Sequence, residues 1–289
     1  MNEMIWINGD VMPLADARVG IEDRGYQFAD GVYEVIRLYE GRPFTLREHL
    51  ERLEKSAAGI RMTLPLARDA LAGEILKFLR RTPVRDGMVY LQATRGCAAR
   101  NHAFPKDCAP NVLFYVRHLS PLDPPGQGRG AALATVRDER WKKCWIKSIA
   151  LLANVLAKNE AVDAGADEAV FVEDGVVSEC SASNLFVVRG GKVITHPVGP
   201  KVLPGITRLV LQQVAKQAGV EWVERPVRFD EAVGADEVFI TSTTREISWV
   251  GRWDGKTVAG GRCGPVTLKL HQALRGRVMR ETSELVGAV

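Results

Sequence analysis

The sequence predicts a mixed α/β protein of the α+β two-domain kind, with a smaller α/β domain over residues 1–120 and a larger domain over 121–289. Three observations carry this expectation. Before residue 120, segments with period-2 alternation are interleaved with amphipathic helical patterns. The stretch Ser120-Pro121-Leu122-Asp123-Pro124-Pro125-Gly126-Gln127-Gly128 is polar and rich in proline and glycine, as a linker is. Beyond it, four short apolar runs are spaced by the turn pairs Asp174-Gly175 and Gly190-Gly191, which reads as a β-meander. At 289 residues, 46% hydrophobic and 26% charged, the chain has room for two cores.

In the first part, Trp6-Ile7-Asn8-Gly9-Asp10 reads as a strand entering a hairpin, because Asn-Gly tolerates positive φ. Residues 24–37 read as a loop running into a strand, with Val32, Glu34 and Ile36 on one face and Tyr33, Val35 and Arg37 on the other. Thr45-Leu46-Arg47-Glu48 has the form of a capping box and opens a helix whose apolar stripe is Leu46, Leu50, Leu53 and Ala57. A second amphipathic helix covers Ala67 to Leu79, and strands follow at Val89–Thr94 and Val112–Val116.

In the second part, Ala131–Thr135 alternates as a strand. Trp145-Ile146-Lys147 is a short apolar run delivering a lysine, and Ser148 is placed to cap a helix from Ile149 to Ala164 that stops at Gly165. The meander comprises Ala169–Val172, Val176–Glu179, Leu185–Val188 and Val193–Thr195. Gly205-Ile206-Thr207 leads into a helix over Leu209–Ala218, Glu237–Ile240 is a strand ending in Thr241-Ser242-Thr243-Thr244, and a basic helix around Leu268–Glu284 reads as solvated.

Composition excludes several classes. The net charge is +4, and no Lys/Arg cluster is interleaved with stacking aromatics, so nucleic acid is not an expected partner. Five cysteines, Cys97, Cys108, Cys144, Cys180 and Cys263, form no C-x-x-C pair, which argues against a disulfide framework or a metal site and fits a reducing cytoplasm. No secretion signal or membrane span is evident.

The residue with the clearest chemical use is Lys147. A free lysine amine titrates at about 10.4 and resists desolvation, so an apolar setting for it implies a chemical role. Other residues are open to plainer readings. Tyr33 reads as a half-buried sheet tyrosine, Arg52 as a solvated helix charge, Glu179 as a solvent-face strand residue. The loop Arg95–Pro105 reads as an exposed turn, although Arg100 and His102 are two cationic or donor groups able to converge on one anion. The helix N-terminus at Ile206-Thr207 is a ready anion site that in most proteins binds only water.

Four segments in order resolve these alternatives: Lys147; Glu179-Cys180-Ser181-Ala182-Ser183-Asn184; Thr195-His196-Pro197; and Leu203-Pro204-Gly205-Ile206-Thr207-Arg208. The chain resembles the class IV aminotransferases, the fold-type IV enzymes that use pyridoxal 5'-phosphate. Within them it looks most like the D-amino-acid transaminases, because Arg24-Gly25-Tyr26-Gln27-Phe28 leads to Asp30-Gly31-Val32-Tyr33-Glu34-Val35, and because Thr94-Arg95-Gly96 leads to Arg100-Asn101-His102.

The resemblance implies a C-terminal pseudo-barrel domain and a homodimer. It implies Lys147 as the catalytic lysine that carries the coenzyme, and a coenzyme-binding set of Lys147, Glu179, Arg52, Leu203, Ile206, Thr207, Ser242, Thr243 and Ser181. It implies substrate contacts from Tyr33, Arg100 and His102, the last two reaching the neighbouring subunit's site, with no metal. The implied reaction is ping-pong amino transfer from a D-amino acid to a 2-oxo acid. Branched-chain L-amino-acid and (R)-amine transaminases and aminodeoxychorismate lyase are same-fold alternatives. Four positions depart from the pattern: Ala29 for a glycine, Ala182 for a serine, Trp145 for an aspartate, and Trp249, whose bulk bears on the side-chain pocket.

Overall fold

A computed structural model describes residues 3–284 and divides the chain into two compact units. The first runs to Pro121 and also takes in Ile146–Ala150; the second comprises Leu122–Trp145 and Leu151–Ser283. A boundary at residue 120 does not anticipate that the short segment around Lys147 belongs with the N-terminal part.

The first unit contains β1 (Met4–Ile7), β2 (Asp10–Pro13), α1 (Arg24–Phe28), β3 (Gly31–Tyr39), β4 (Arg42–Pro43), α2 (Leu46–Gly59), α3 (Arg68–Leu79), β5 (Gly87–Thr94) and β6 (Asn111–His118). The strands form one antiparallel sheet in the order β2-β1-β6-β5-β3-β4. Alternation along β3 buries Val32, Glu34 and Ile36 completely and leaves Tyr33 and Val35 half-buried, as the period-2 reading requires. α2 packs on β3 through Leu50 and Leu53, and Phe78 of α3 meets Phe114 edge-on while Trp6 stacks on it.

Two local expectations fail here. The segment before β3 is the short helix α1, capped by Asp23, whose side chain accepts from Gly25 N at 2.7 Å. Its C-cap, Ala29, sits at φ 53, which accounts physically for the glycine usual at this position. The capping box at Thr45 does not form: Thr45 adopts φ 54 and its hydroxyl donates to Phe44 O, so no side chain caps α2.

The second unit contains β7 (Ala131–Arg137), α4 (Leu152–Asp163), β8 (Glu168–Glu173), β9 (Val176–Cys180), β10 (Asn184–Arg189), β11 (Lys192–Thr195), α5 (Ile206–Gln217), β12 (Trp222–Glu224), β13 (Val227–Arg228), α6 (Phe229–Val233), β14 (Glu237–Ser242), β15 (Glu246–Trp253), β16 (Lys256–Thr257) and α7 (Pro265–Glu284). Its sheet runs β12-β11-β10-β14-β15-β7-β8-β9-β13, with β16 on β15. α4 links the parallel pair β7 and β8, and α5 lies in the crossover between the parallel pair β11 and β12.

The meander is therefore split. β8 pairs with β9 and β10 with β11, yet β9 and β10 are separated along the sheet, because β14 takes the edge of β10. Trp145-Ile146-Lys147 forms no strand, and Ser148 is not a cap, since α4 starts at Leu152 with no side-chain cap. α5 begins three residues earlier than its apolar pattern suggests, so Ile206 and Thr207 lie in its first turn. α7 is not solvated all round: Leu270, Leu274 and Val278 are buried.

Candidate active site

Lys147 is held by backbone geometry. Its segment lies along the start of β3, where Lys147 O accepts from Tyr33 N at 3.0 Å, Ile149 N donates to Gly31 O at 3.1 Å, and Ser148 bridges Val32. Gly31 permits the approach, since a Cβ there would meet Ala93 O at 2.7 Å and Ile149 Cδ1 at 2.9 Å. Lys147 N donates to Ser56 Oγ of α2 at 3.1 Å. The amine Nζ stands 4.1 Å from the centre of the Tyr33 ring, a cation–π distance that fixes its direction. Tyr33 in turn stacks on Tyr90, with centroids 5.9 Å apart, and Tyr90 donates to Gln92 Oε1.

Beneath this pair lies a buried ionic cluster. Glu34 is sealed from solvent; its Oε1 accepts from Arg52 Nε at 2.7 Å and its Oε2 from Arg52 Nη2 at 2.8 Å. His49 Nδ1 is 2.7 Å from Glu34 Oε2, and since a carboxylate only accepts, that nitrogen carries the proton. Burial alone would raise the Glu34 carboxyl, but the Arg52 guanidinium and His49 hold it down at about 2. Burial pushes the His49 imidazole below its ordinary value. Arg52 is thus not the solvated helix charge its local pattern suggests. Two of its five donors are fixed by Glu34, which orients the whole fork.

Arg100 and His102 lie on the loop between β5 and β6, both exposed, and both against one ring. Arg100 Cζ is 4.8 Å from the centre of Phe28, and the His102 ring is 5.3 Å from it. The base of the loop is pinned: Arg24 Nη1 donates to Asn101 O at 2.5 Å, and Arg95 Nε and Nη2 clasp Asp30 at 2.7 and 2.9 Å. The structure therefore does bring Arg100 and His102 together, against the Phe28 ring.

In the second unit the organising residue is Glu179, at the end of β9 and buried. Its Oε1 accepts from Arg140 Nη1 at 2.6 Å; its Oε2 accepts from Asn184 Nδ2 and Leu203 N, each at 3.0 Å. Burial pushes this carboxyl up to about 7, against the pull of Arg140. The reading of Glu179 as a solvent-face residue does not hold. Asn184 also donates to Leu203 O, and its Oδ1 would lie 2.1 Å from a Cβ built on Gly205, so only glycine can precede α5 there.

The first amides of α5, at Ile206 and Thr207, have no intrahelical acceptor. Ser242 ends β14, and Thr243 follows it in the turn to β15. Thr241, the cross-strand neighbour of Asn184, is buried and its hydroxyl has no hydrogen-bond partner among the described residues. The hydroxyl of Ser181 is taken up by the buried Glu168, which also accepts from Ser183 at 3.2 Å. The Trp249 ring packs on Gly130 and Gly251.

Sequence reasoning missed Glu34, His49 and Arg140. Glu34 stood inside a quoted motif as a core-face glutamate, and His49 lies within the helix that opens at Leu46. Arg140 is close to Lys147 in the chain, but its partner Glu179 is 39 residues away.

Pyridoxal 5'-phosphate fits this donor set. It needs an amine, a buried acid for its ring nitrogen and an anion site; the first unit offers the amine of Lys147, and the second offers the buried Glu179, the free amides at the start of α5 and the unpartnered Thr241 hydroxyl. Among the described residues no group of His, Cys, Asp or Glu is arranged to hold a metal.

Comparison with known proteins agrees. Residues 31–253 match the family described as amino-transferase class IV. The chain is 42% identical to a D-alanine aminotransferase of Bacillus licheniformis over 98% of its own length and 99% of the relative's. It is 37% identical to the D-alanine aminotransferase of Staphylococcus haemolyticus, over 96% and 99%. The branched-chain amino acid aminotransferase of Escherichia coli superposes with a TM-score of 0.88 at 28% identity, covering 96% of this chain and 94% of the other. A branched-chain amino acid aminotransferase of the organism abbreviated T.th., solved with pyridoxamine 5'-phosphate, superposes at 0.86 and 31%, covering 94% and 92%. The chain belongs to the class IV aminotransferases, and the fold-type IV architecture is its fold.

Proposed function

We propose that this enzyme transfers the amino group of a D-amino acid, such as D-alanine, to a 2-oxo acid, such as 2-oxoglutarate, by ping-pong turnover. The observation that carries the reading is the Lys147 amine, aimed across the Tyr33 ring on a segment laced to β3. The names of the curated relatives support the choice of D-substrates.

Bound pyridoxal 5'-phosphate supplies an electron sink for the pair left when the substrate loses its α-proton. Lys147 would anchor the coenzyme through Nζ and, as a free amine, would carry the α-proton from the substrate to C4′ of the coenzyme. Glu179 holds the proton of the ring nitrogen by a charge-assisted hydrogen bond. Arg52, the amides of Ile206 and Thr207, and the hydroxyls of Ser242 and Thr243 hold the phosphate; Leu203 and Ser181 complete the coenzyme set. Tyr33, with Arg100 and His102 of the partner subunit, clamps the α-carboxylate, and the side on which it is clamped selects the enantiomer.

A homodimer is supported by apolar surface that a lone chain leaves in water. Leu152, Val155, Leu156 and Val162 form an exposed stripe on α4, while Ile21 and Tyr26, about four-fifths exposed, line a hollow of about 750 Å³ on the first unit. The division into domains at residue 120 remains part of this reading. A cytoplasmic setting is supported by five cysteines that are all free, and no described helix is long and apolar enough to cross a membrane.

Borohydride reduction followed by peptide mapping tests the attachment. A coenzyme label on Lys147 is the expected result, and a label on any other residue overturns it. D-alanine and L-leucine, offered separately with 2-oxoglutarate, test the hand of the substrate. Transfer from L-leucine alone would replace this reading with that of a branched-chain enzyme.

A further inference from the structure

Arg140 lies on the irregular stretch after β7, outside every motif that led to the coenzyme set, yet it is among the most heavily bonded side chains near Glu179. Its Nε and Nη2 clasp Asp138 at 2.9 Å each, its Nη2 also donates to Lys201 O at 2.9 Å, and its guanidinium lies 4.0 Å from the centre of the Phe171 ring. These contacts leave Nη1 aimed at Glu179 Oε1 at 2.6 Å, with both side chains almost wholly buried. Asp138 is itself kept ionised by Arg140 and Ser178, although burial opposes it. Everything in the cluster apart from that one guanidinium hydrogen bond is thus arranged to hold Arg140 still.

We infer that Arg140 is a positioning residue for the coenzyme: braced by Asp138, it keeps Glu179 an ionised carboxylate so that Glu179 can hold a protonated pyridine nitrogen. The inference rests on the coenzyme reading above. Its physical basis is that a sealed carboxylate without a cation takes up a proton, and a neutral acid cannot balance a pyridinium charge. The donors Asn184 Nδ2 and Leu203 N favour the charged form but bring no net charge. Asp138, Cys144 and Cys180 are the other titratable groups facing Glu179, and each of them, if ionised, would oppose its charge. Arg140 is therefore the cation that decides. Burial already pushes the Glu179 carboxyl up to about 7 against the pull of Arg140, so loss of Arg140 raises it further and favours the neutral acid.

The test is a double-mutant cycle on coenzyme binding to the apoprotein, measured by calorimetry between pH 6 and 9 with pyridoxal 5'-phosphate, over wild type, R140Q, E179Q, R140Q/E179Q and R140K. R140Q should bind about tenfold more weakly at pH 7.5, the cost of one charge-assisted hydrogen bond. Its affinity should recover as pH rises, whereas E179Q should be weak at every pH. The double variant should match E179Q, because Arg140 acts through Glu179. R140K, which keeps the charge, should restore most of the affinity. Additive losses in R140Q and E179Q, or an R140Q deficit that does not change with pH, would overturn the inference. Thermal unfolding of each apoprotein identifies a variant that has lost its fold, and R140K then carries the comparison. If wild type takes up no coenzyme, the coenzyme reading itself has failed, which is a different result from an additive cycle.

Discussion

Glu34 and Glu179 are both sealed from water, yet they stand on opposite sides of the ordinary carboxylate range: burial raises Glu179 despite Arg140, whereas Arg52 and His49 outweigh burial at Glu34. Arg52 grips Glu34 with two parallel hydrogen bonds, so Glu34→Gln would leave a buried guanidinium without its countercharge. Breaking such a pair costs about 3–5 kcal/mol. Urea unfolding of E34Q at pH 7 should register that loss, and a change under about 1 kcal/mol would mean that the cluster relaxes without it. The pH windows follow from the signs. The folded Glu34 carboxyl is depressed, so its stabilisation is fully present above pH 4.5 and is lost as pH falls toward about 2. The folded Glu179 carboxyl is raised, so in the coenzyme-free protein its contribution is greatest below pH 4.5 and declines as pH rises through about 7. Comparing apo wild type with E179Q over pH 5–8 checks this: the stability difference should shift as pH rises to about 7 and level off above it. Neither cluster could be read locally. Glu34 is 18 residues from Arg52 and 15 from His49, and a strand glutamate followed much later by a helix arginine carries no pairwise signal until the sheet and α2 are assembled.

At the scale of elements, apolar periodicity located β3, α2, α3, β5 and β6, each more buried on one face than on the other, and also β7, which is buried on both faces. It failed where long-range pairing decides. The break between β9 and β10 is set by β14, about fifty residues further along the chain, and the turn at Ser181–Ser183 looks the same in sequence whether or not its strands pair. It also failed at α5, whose first turn holds a single buried apolar residue, Ile206, after a close-packed glycine. A Cβ on Gly205 would press on Asn184, which holds both Glu179 and Leu203. Gly205→Ala should therefore cost about 1–3 kcal/mol by overpacking and weaken coenzyme binding along with it. Apoprotein unfolding and coenzyme titration report the two effects, and a G205A protein with unchanged coenzyme affinity would show that Asn184 is not what orients Glu179. On α4 only Ala157 and Ala161 face the core, joining Ala134, Val136, Ala169 and Phe171. Its sequence reads as an ordinary core helix, so the outward stripe of Leu152, Val155, Leu156 and Val162 emerged only once the buried side was known. If the proposed homodimer buries this stripe, Leu152→Glu with Leu156→Glu should lower the sedimentation coefficient to that of a single chain while leaving the fold intact, since both positions are exposed on the single chain.

For the whole molecule, Arg100 and His102 are exposed residues that the chain holds against one ring, Phe28. Both lie on a loop that Arg24 holds at Asn101 O, between them, and that Arg95 ties to Asp30, with Phe28 against both side chains. A braced pair of this kind suits a docked second copy, and the two-fold symmetry of a dimer would give each subunit the other's loop. The motif that contains these residues was legible from the sequence, but which copy they serve is a property of the assembly and is written in no single segment. Mixing separates the possibilities. An Arg100→Ala chain and a Lys147→Ala chain should each be close to inactive with D-alanine. If the loop serves the partner, each hybrid dimer holds one site with an intact lysine and an intact arginine, and an equal, fully exchanged mixture should regain about one quarter of wild-type activity. If Arg100 serves its own chain, every hybrid site lacks one residue or the other and nothing is regained. The recovery should rise with the time allowed for subunit exchange, and it should vanish when the exposed leucines of α4 are replaced by glutamate in both chains.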